Sequence, residues 1–323
     1  MNQNKRIMKA AVVRDFDQGP RYDSFELPAG DGDLVLEVLA AALSPLTRSG
    51  ASGTHYTSKG ALPLVPGVDG VGRLPDGKRV YFVSTNDVVG AMAEQAVAEP
   101  RLTVALPDRV GSSTIAAGML PAISSWVALT KRASLQPGQR VLILGATGAS
   151  GQLAVQIAKH LGAASVIAVG RDAGALERTR ARGADHVVQL TGTRADGDAI
   201  AQVASEVDIV LDYVWGSVTS AVMPAVCRRR QAESRALHWV QIGSMAGDEI
   251  ALSSVLLRKR NLHILGSGLG ATSVEDMFSV ASDVVAAFAA GALEVRVREA
   301  PLADVATWWS VRPDAGERLV FIP

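Results

Sequence analysis

The stretch Leu135 to Ala163, LQPGQRVLILGATGASGQLAVQIAKHLGA, decides the fold. Arg140 to Leu144 (RVLIL) is a nearly continuous apolar run, as a parallel strand buried on both faces requires. Gly145 to Gly151 (GATGASG) follows at once, and Gln152 to Leu161 (QLAVQIAKHL) repeats its apolar residues at helical spacing. A glycine-rich turn between such a strand and such a helix lets the backbone approach a pyrophosphate. The helix start adds unpaired N–H groups and a partial positive charge. The fingerprint GxGxxG reads here as AxGxxG over Ala146, Gly148 and Gly151, with its first glycine replaced. The strand before the loop, the helix after it and a second strand at the right distance set it above an isolated glycine motif. Ala146, Thr147, Gly148, Ala149, Ser150 and Gly151 are therefore the expected phosphate-binding residues. The alternative is a tight strand–helix turn with no ligand.

Outward from that stretch, Ser165 to Val169 (SVIAV), His186 to Leu190, Val207 to Leu211, Trp239 to Gly243 and Leu262 to Gly266 read as further strands. Leu176 to Arg182 reads as a helix, and Ser112 to Thr130 as an Ala-rich helix apart from Pro121. The pattern is α/β, an open doubly wound parallel sheet of the Rossmann type. The first hundred residues follow a different grammar. Strands are expected at Lys9 to Val13, Leu34 to Ala42 and Arg79 to Ser84, with turns at Pro28 to Gly32 and Pro75 to Lys78. The tail from Leu293 returns to strand-like segments and closes on RLVFIP. These readings give a β-rich domain over residues 1–115, completed by 290–323, and a nucleotide-binding domain over 116–289.

Composition narrows the function. Of 323 residues, 48% are hydrophobic and 20% charged, which excludes disorder along most of the length. Lys+Arg and Asp+Glu both number 32, and the absence of a basic excess disfavours a nucleic-acid partner. Cys227 is the only cysteine, so neither an internal disulfide nor a Cys-rich zinc site is possible, and a reducing, cytoplasmic setting is expected. The start MNQNKRIMKAAVVRDFD has basic residues without a long apolar run, unlike a signal peptide. Apolar stretches elsewhere break before about 18 residues, so no membrane span is expected.

The end of the second strand bears on the cofactor. An NAD site places Asp or Glu there to bind the ribose 2′-hydroxyl. Here Gly170 occupies that position and Arg171 follows, a guanidinium suited to a 2′-phosphate. This predicts NADPH. Asp172 is the competing reading, as a ribose ligand if the strand ends later.

Several colinear segments together resemble the medium-chain dehydrogenase/reductase superfamily, and most closely its zinc-independent quinone oxidoreductase branch, which includes zeta-crystallin. They are LPLVPGVDGVG (Leu62 to Gly72), GKRVYF (Gly77 to Phe82), LPAISSWVAL (Leu120 to Leu129), the stretch quoted above, RGAD (Arg182 to Asp185), VDIVLDYV (Val207 to Val214), IGS (Ile242 to Ser244), LGSGLG (Leu265 to Gly270) and GERLVFIP. The resemblance implies a GroES-like β-rich domain completed by the tail, a nicotinamide site between domains, and a homodimer joined by edges of the nucleotide-domain sheets. It implies cofactor contacts at Ser124 and Ser125, at Gly243 and Ser244, and at Ser267, Gly268 and Leu269, each of which could instead be an ordinary turn residue. Zinc-dependent members carry Cys and His-Glu ligands around the equivalent of residues 40–72. Here PGVDGVG has Asp69 and no His-Glu pair, so no metal is expected.

Without a metal, hydride addition to an electron-poor C=C or a quinone suits the chain better than alcohol oxidation, because such an acceptor carries its own activation. The expected activity is NADPH-dependent reduction of quinones or α,β-unsaturated carbonyls. An enoyl-thioester or alcohol reductase and an NADPH-binding sensor or structural protein are the alternatives. Candidate donors to the developing oxyanion are Ser44, Thr47 and Tyr56, set against turn capping or packing. The five histidines are scattered, none four residues from another, and read as surface or capping groups. Cys227 reads as an inert thiol, and Arg228-Arg229-Arg230 as a solvated helix face. Trp308-Trp309 reads as core packing or as the lining of an aromatic pocket.

Overall fold

The computed structural model describes residues 6–29, 33–86, 88–193 and 195–323. Residues 1–5, where the leader reading begins, and residues 30–32 of the expected first turn lie outside them. In chain order the elements are β1 (Arg6–Val12), β2 (Arg21–Leu27), β3 (Leu34–Ala42), α1 (Pro45–Ala51), β4 (Asp69–Arg73), β5 (Arg79–Val83), β6 (Gln95–Ala98), β7 (Thr103–Ala105) and α2 (Ser112–Val127). Then come β8 (Arg140–Leu144), α3 (Ala149–His160), β9 (Ser165–Gly170), α4 (Ala173–Ala181), β10 (His186–Gln189), α5 (Ala195–Ala204), β11 (Ile209–Asp212), α6 (Gly216–Arg229) and β12 (Leu237–Gln241). The chain closes with α7 (Ser254–Lys259), β13 (Leu262–Gly266), α8 (Val274–Ser279), α9 (Ala281–Ala289), β14 (Arg296–Pro301), α10 (Val305–Trp308) and β15 (Glu317–Ile322).

Two compact units result, one of residues 1–120 with 285–323, the other of 121–284. The second unit holds six parallel strands in the order β10-β9-β8-β11-β12-β13. The chain runs outward from β8 to β10, then crosses back and runs outward the other way from β11. The switch point lies between β8 and β11, and an open sheet of this type binds ligands beyond the carboxyl ends of its strands there. The apolar runs predict the strands because both faces are covered. Val141 to Leu144 and Ile209 to Asp212 are buried throughout. Trp239 packs with Leu142, Ile167 and Val210 against Ile200, Val222 and Met223 of the covering helices.

The first unit is built on a seven-stranded sheet, β14-β15-β3-β4-β5-β7 with β6 also on β3. The tail joins the amino-terminal module directly, Val320 opposite Ala42 and Phe321 opposite Ala41. A separate antiparallel pair, β1 and β2, packs its own small cluster of Met8, Ala10, Val12 and Leu27.

Four expectations need correction. Pro121 does not interrupt the helix: α2 runs through it and continues into a π turn over Ala128–Arg132. Proline removes one backbone hydrogen bond but has helical φ, and the buried Ala117, Ala122 and Ile123 hold the turn. Ser112–Arg132 is also 21 residues long and apolar enough to cross a membrane by length and composition, though 72% of its apolar window is buried inside the fold. The helix expected from Leu176 begins at Ala173, because Asp172 caps it. Finally, Arg230 is not part of a solvated face. It is 2% exposed, and its guanidinium donates to the carbonyls of Ser205, Val207, Arg235 and Ala236.

The first unit buries a charged cluster at the start of β4. Tyr81 Oη donates to Asp69 Oδ2 at 3.0 Å, and the buried Arg318 faces the same carboxyl. Burial outweighs both partners and raises the Asp69 carboxyl to about 6 from the usual 3.8. Such a group keeps its proton in the fold after the unfolded chain has lost it. Its contribution therefore lowers stability as pH rises from about 4 to about 6, by about 3 kcal/mol at most. Urea unfolding across that window should show a steeper fall for the wild type than for Asp69→Asn; parallel profiles would contradict the assignment.

Candidate functional site

The glycine loop sits at the carboxyl end of β8, beside the switch point. Gly145 turns the chain with φ +89°, and its N–H and that of Ala146 both bond the Val169 carbonyl of β9 at 2.9 and 2.8 Å. Ala146 is thus fully buried, and its amide is committed to the loop's own structure. Gly151 allows α3 to start against the loop: a Cβ there would lie 2.3 Å from the Gly145 carbonyl oxygen and 2.6 Å from Ala146 Cα. Gly148 is different. It is exposed, and an added Cβ would meet only the Gly145 oxygen, at 3.6 Å. Gly148 is also the N-cap of α3 and supplies no side-chain acceptor, so the first-turn amides of Ala149, Ser150 and Gly151 keep the unpaired character of a helix start. An open approach over Gly148 toward a twelve-residue helix start fits a pyrophosphate.

At the end of β9, Gly170 is small for a steric reason. A Cβ there would lie 2.3 Å from Thr147 Cγ2, so no carboxylate side chain fits at that position while Thr147 holds its place. Arg171 is exposed, and Gln189 Nε2 donates to its carbonyl at 3.0 Å, fixing its backbone. Asp172, the alternative ribose ligand, has one carboxylate oxygen engaged as a helix cap. Its Oδ1 accepts from the Ala175 amide at 2.6 Å as the N-cap of α4.

Across the switch point, Asp212 ends β11 fully buried. Its carboxylate accepts from the Val214 and Trp215 amides, from Trp239 Nε1 at 2.8 Å and from the Thr219 hydroxyl. These bonds hold Trp215 at φ +51°, ψ −152°, a conformation that costs an L residue about 1–3 kcal/mol. Tyr213 follows Asp212, and its hydroxyl lies 2.7 Å from Ser125 Oγ. Ser125 Oγ also bonds the Pro121 carbonyl at 2.8 Å and reaches the Ser150 carbonyl in the first turn of α3 at 3.5 Å. Burial raises the Tyr213 phenol far above its usual range, so it stays protonated. Sequence reading missed both residues; the only signal was an Asp-Tyr pair closing an apolar run.

The other expected cofactor residues lie at the same carboxyl ends. Gly243 donates to the Asp212 carbonyl at 3.1 Å and abuts the Tyr213 carbonyl, where a Cβ would come to 2.8 Å. Ser244 is exposed. The buried Ser267 continues β13 with an amide bond to Gln241 at 2.8 Å. The Gly268 carbonyl accepts from Ala271 and Thr272, and Leu269 bridges to Thr272, so these two residues build a turn. Ser124 is half-buried; the hydroxyl that reaches the loop belongs to its neighbour Ser125.

The residues expected as oxyanion donors belong to the first unit. Ser44 caps α1: its Oγ accepts from the Thr47 amide and pairs with Thr47 Oγ1, both at 2.9 Å, and both residues are buried. Their hydroxyls serve the cap first. Tyr56 is 73% exposed, with its ring 4.2 Å from that of His55. His55 Nδ1 is bonded to Thr57 Oγ1 at 2.7 Å. Trp308 and Trp309 pack against the core of the first unit, and Trp309 also lies under the Arg48 guanidinium. The single thiol, Cys227, is buried in the second unit and pushed up to about 11, and no group of three His, Cys, Asp or Glu side chains gathers among the described residues.

Comparison with known proteins places this geometry. Residues 149–287 match the family model described as zinc-binding dehydrogenase. The Emericella nidulans protein named “Probable NADPH-dependent quinone reductase” is 30% identical over 92% of this chain and 94% of its own. The quinone oxidoreductase of Homo sapiens is 30% identical over 50% of this chain and 53% of its own. The crystal structure of the quinone oxidoreductase from Thermus thermophilus, also determined with NADPH, superposes with a TM-score of 0.80 at 24% identity, covering 98% of this chain and all of that one.

The two glycines separate structure from binding. Gly151→Ala should destabilise the chain by several kcal/mol, since a Cβ would strike backbone that cannot give way. Gly148→Ala should cost less than about 1 kcal/mol of stability, as Ala for Gly at an N-cap, yet weaken nicotinamide nucleotide binding at least about tenfold, or 1.4 kcal/mol. Thermal unfolding and tryptophan-quenching titrations read the two effects, and wild-type affinity in Gly148→Ala would place the phosphates elsewhere.

Proposed function

The chain belongs to the medium-chain dehydrogenase/reductase superfamily, in its quinone oxidoreductase-like branch, and is an oxidoreductase; from that premise we propose that it reduces quinones or α,β-unsaturated carbonyls with NADPH and without zinc. The observation that carries the cofactor choice is the end of β9. Position 170 admits no carboxylate beside Thr147, Asp172 is committed to the α4 cap, and Arg171 stands exposed with its backbone fixed. A 2′-phosphate would meet a guanidinium there with no competing carboxylate on the ribose. The activities named for relatives agree, including an NADPH-dependent alkenal/one oxidoreductase of Arabidopsis thaliana, 27% identical over 57% of this chain and 50% of its own.

Reduced nicotinamide, when bound, supplies the hydride. The chain's own residues hold and orient the cofactor. The first turn of α3 takes the pyrophosphate through its amides, and Gly148 leaves the approach open. The Tyr213–Ser125 pair lies behind that turn, with Ser125 Oγ bonded to the Pro121 carbonyl and 3.5 Å from the Ser150 carbonyl. Ser267, Gly268 and Gly243 present backbone at the carboxyl ends of β12 and β13. Zinc independence rests on the donor set: residues 40–72 carry His55 but no cysteine, and the only thiol is buried and protonated. An acceptor reduced in this way must therefore be electron-poor in its own right. Tyr56 is the exposed hydroxyl in the segment expected to donate to the developing oxyanion.

Two further assignments go with this reading. The unpaired outer edge of β13, with Met245, Val255 and Leu257 exposed in the segment before it, supports a homodimer through that edge. We also propose a cytoplasmic location, with which a single cysteine in the sequence is compatible.

Arg171→Ala should weaken NADPH binding by roughly 1.5–3 kcal/mol, the range for hydrogen bonds to charged groups. NADH binding should be nearly unchanged. Fluorescence titration of both cofactors, followed by NADPH consumption with phenanthrenequinone and a simple enone, tests the proposal. Equal losses for both cofactors would remove Arg171 as the phosphate reader. NADPH binding without turnover on either acceptor would count against the reductase reading.

A further inference from the structure

Two histidines that are twenty-five positions apart in sequence become neighbours at the amino end of the parallel sheet. His238 and His263 are paired in register on β12 and β13. Alternation puts Leu237, Trp239, Leu262 and Ile264 on the face that packs with the helix core, and both imidazoles on the other. Their ring centroids are 5.0 Å apart with the planes inclined at 44°.

The hydrogen bonds around His263 define where its lone pair lies. Asn261 Nδ2 donates to the Ser234 carbonyl at 3.0 Å, which fixes the orientation of that amide. Asn261 Oδ1 then faces His263 Nε2 at 2.9 Å and can only accept. His263 therefore carries its proton on Nε2 and keeps a free lone pair on Nδ1. An imidazole held through its second nitrogen by an amide oxygen is the arrangement that orients metal-binding histidines. On the partner strand, His238 Nδ1 is buried with no hydrogen-bond partner. A buried ring nitrogen without a partner costs free energy, and a ligand that took its lone pair would remove that cost.

We propose that His238 and His263 form a two-imidazole chelate for a divalent transition metal of the zinc, nickel and copper class, bound between the two rings. Water completes the coordination shell, because Asp208, whose backbone carbonyl accepts from the His238 amide, has its carboxylate engaged by the Arg140 amide and by Arg235. Imidazole is the ligand these ions prefer, whereas magnesium and calcium require oxygen donors. The glycine loop lies at the carboxyl end of β8, the opposite end of the same parallel sheet, so a metal here acts on the sheet edge and not on hydride transfer. The inference is independent of the reductase reading.

The test is a calorimetric titration of the full chain with zinc chloride, without cofactor. The wild type should bind Zn(II) more tightly than about 1 mM, and His263→Asn should weaken it at least about tenfold. His263 is exposed, so that variant keeps its fold. His238→Asn should behave likewise, and His55→Asn should bind as the wild type does. Copper(II) added to the wild type should show two equivalent nitrogens in its electron paramagnetic resonance spectrum, and His263→Asn should lose one. No binding by the wild type within that limit, or less than a tenfold loss in His263→Asn, overturns the proposal.

Discussion

The second unit depends on one close approach of backbone to backbone. At Gly151 the space a side chain would fill is taken by the Gly145 carbonyl and Ala146 Cα. Only this contact lets α3 begin directly over the end of β8, with its first-turn amides facing out of the sheet. From the other side, Val214 and Tyr213 close on Gly145, where a Cβ would come within 3.0 and 3.3 Å. The loop is therefore rigid below and open above, at Gly148. A phosphate-binding turn needs both properties: fixed donors that cost no reorganisation, and no side chain in the path of the ligand.

Across the switch point a buried carboxylate does comparable work. Asp212 accepts four hydrogen bonds, two from the turn it anchors, one from the Thr219 hydroxyl in α6 and one from the Trp239 indole on the adjacent strand. Charge-assisted bonds of this kind are about twice as strong as neutral ones, enough to hold Trp215 in a backbone conformation it would otherwise avoid. With Tyr213 bonded to Ser125, the two ends of the switch point are tied by side chains on β11 and α2. The cofactor loop is thus braced by residues that the glycine motif does not include.

Much of this was legible in the sequence because the signals were local. A strand covered on both faces must be apolar along its length, so RVLIL and SVIAV declare themselves. Gly145, Gly148 and Gly151 are legible because only glycine tolerates the positive φ of the first and the contact of the last. Gly170 was read as a cofactor-selecting position. The structure adds a steric cause, the Thr147 side chain, that no pattern of neighbours in sequence announces. Asp172 shows the opposite case: a carboxylate two residues past a strand suits a ribose ligand and a helix cap equally, and the start of α4 assigns it to the cap. Arg230 read as solvent-facing because it ends a run of three arginines, yet four carbonyls from separate turns converge on it.

The amino-acid sequence by itself determined the apolar strands of the parallel sheet, the glycine loop and the scarcity of soft ligands, because each follows from residue type and short-range spacing. Tertiary structure decided what depends on strand order. Placing β11 beside β8 brings Asp212 and Tyr213 to the loop, and placing β13 beside β12 turns two unrelated histidines into a pair. Such contacts join residues tens of positions apart, through hydrogen-bond registers that exist only once the sheet has formed.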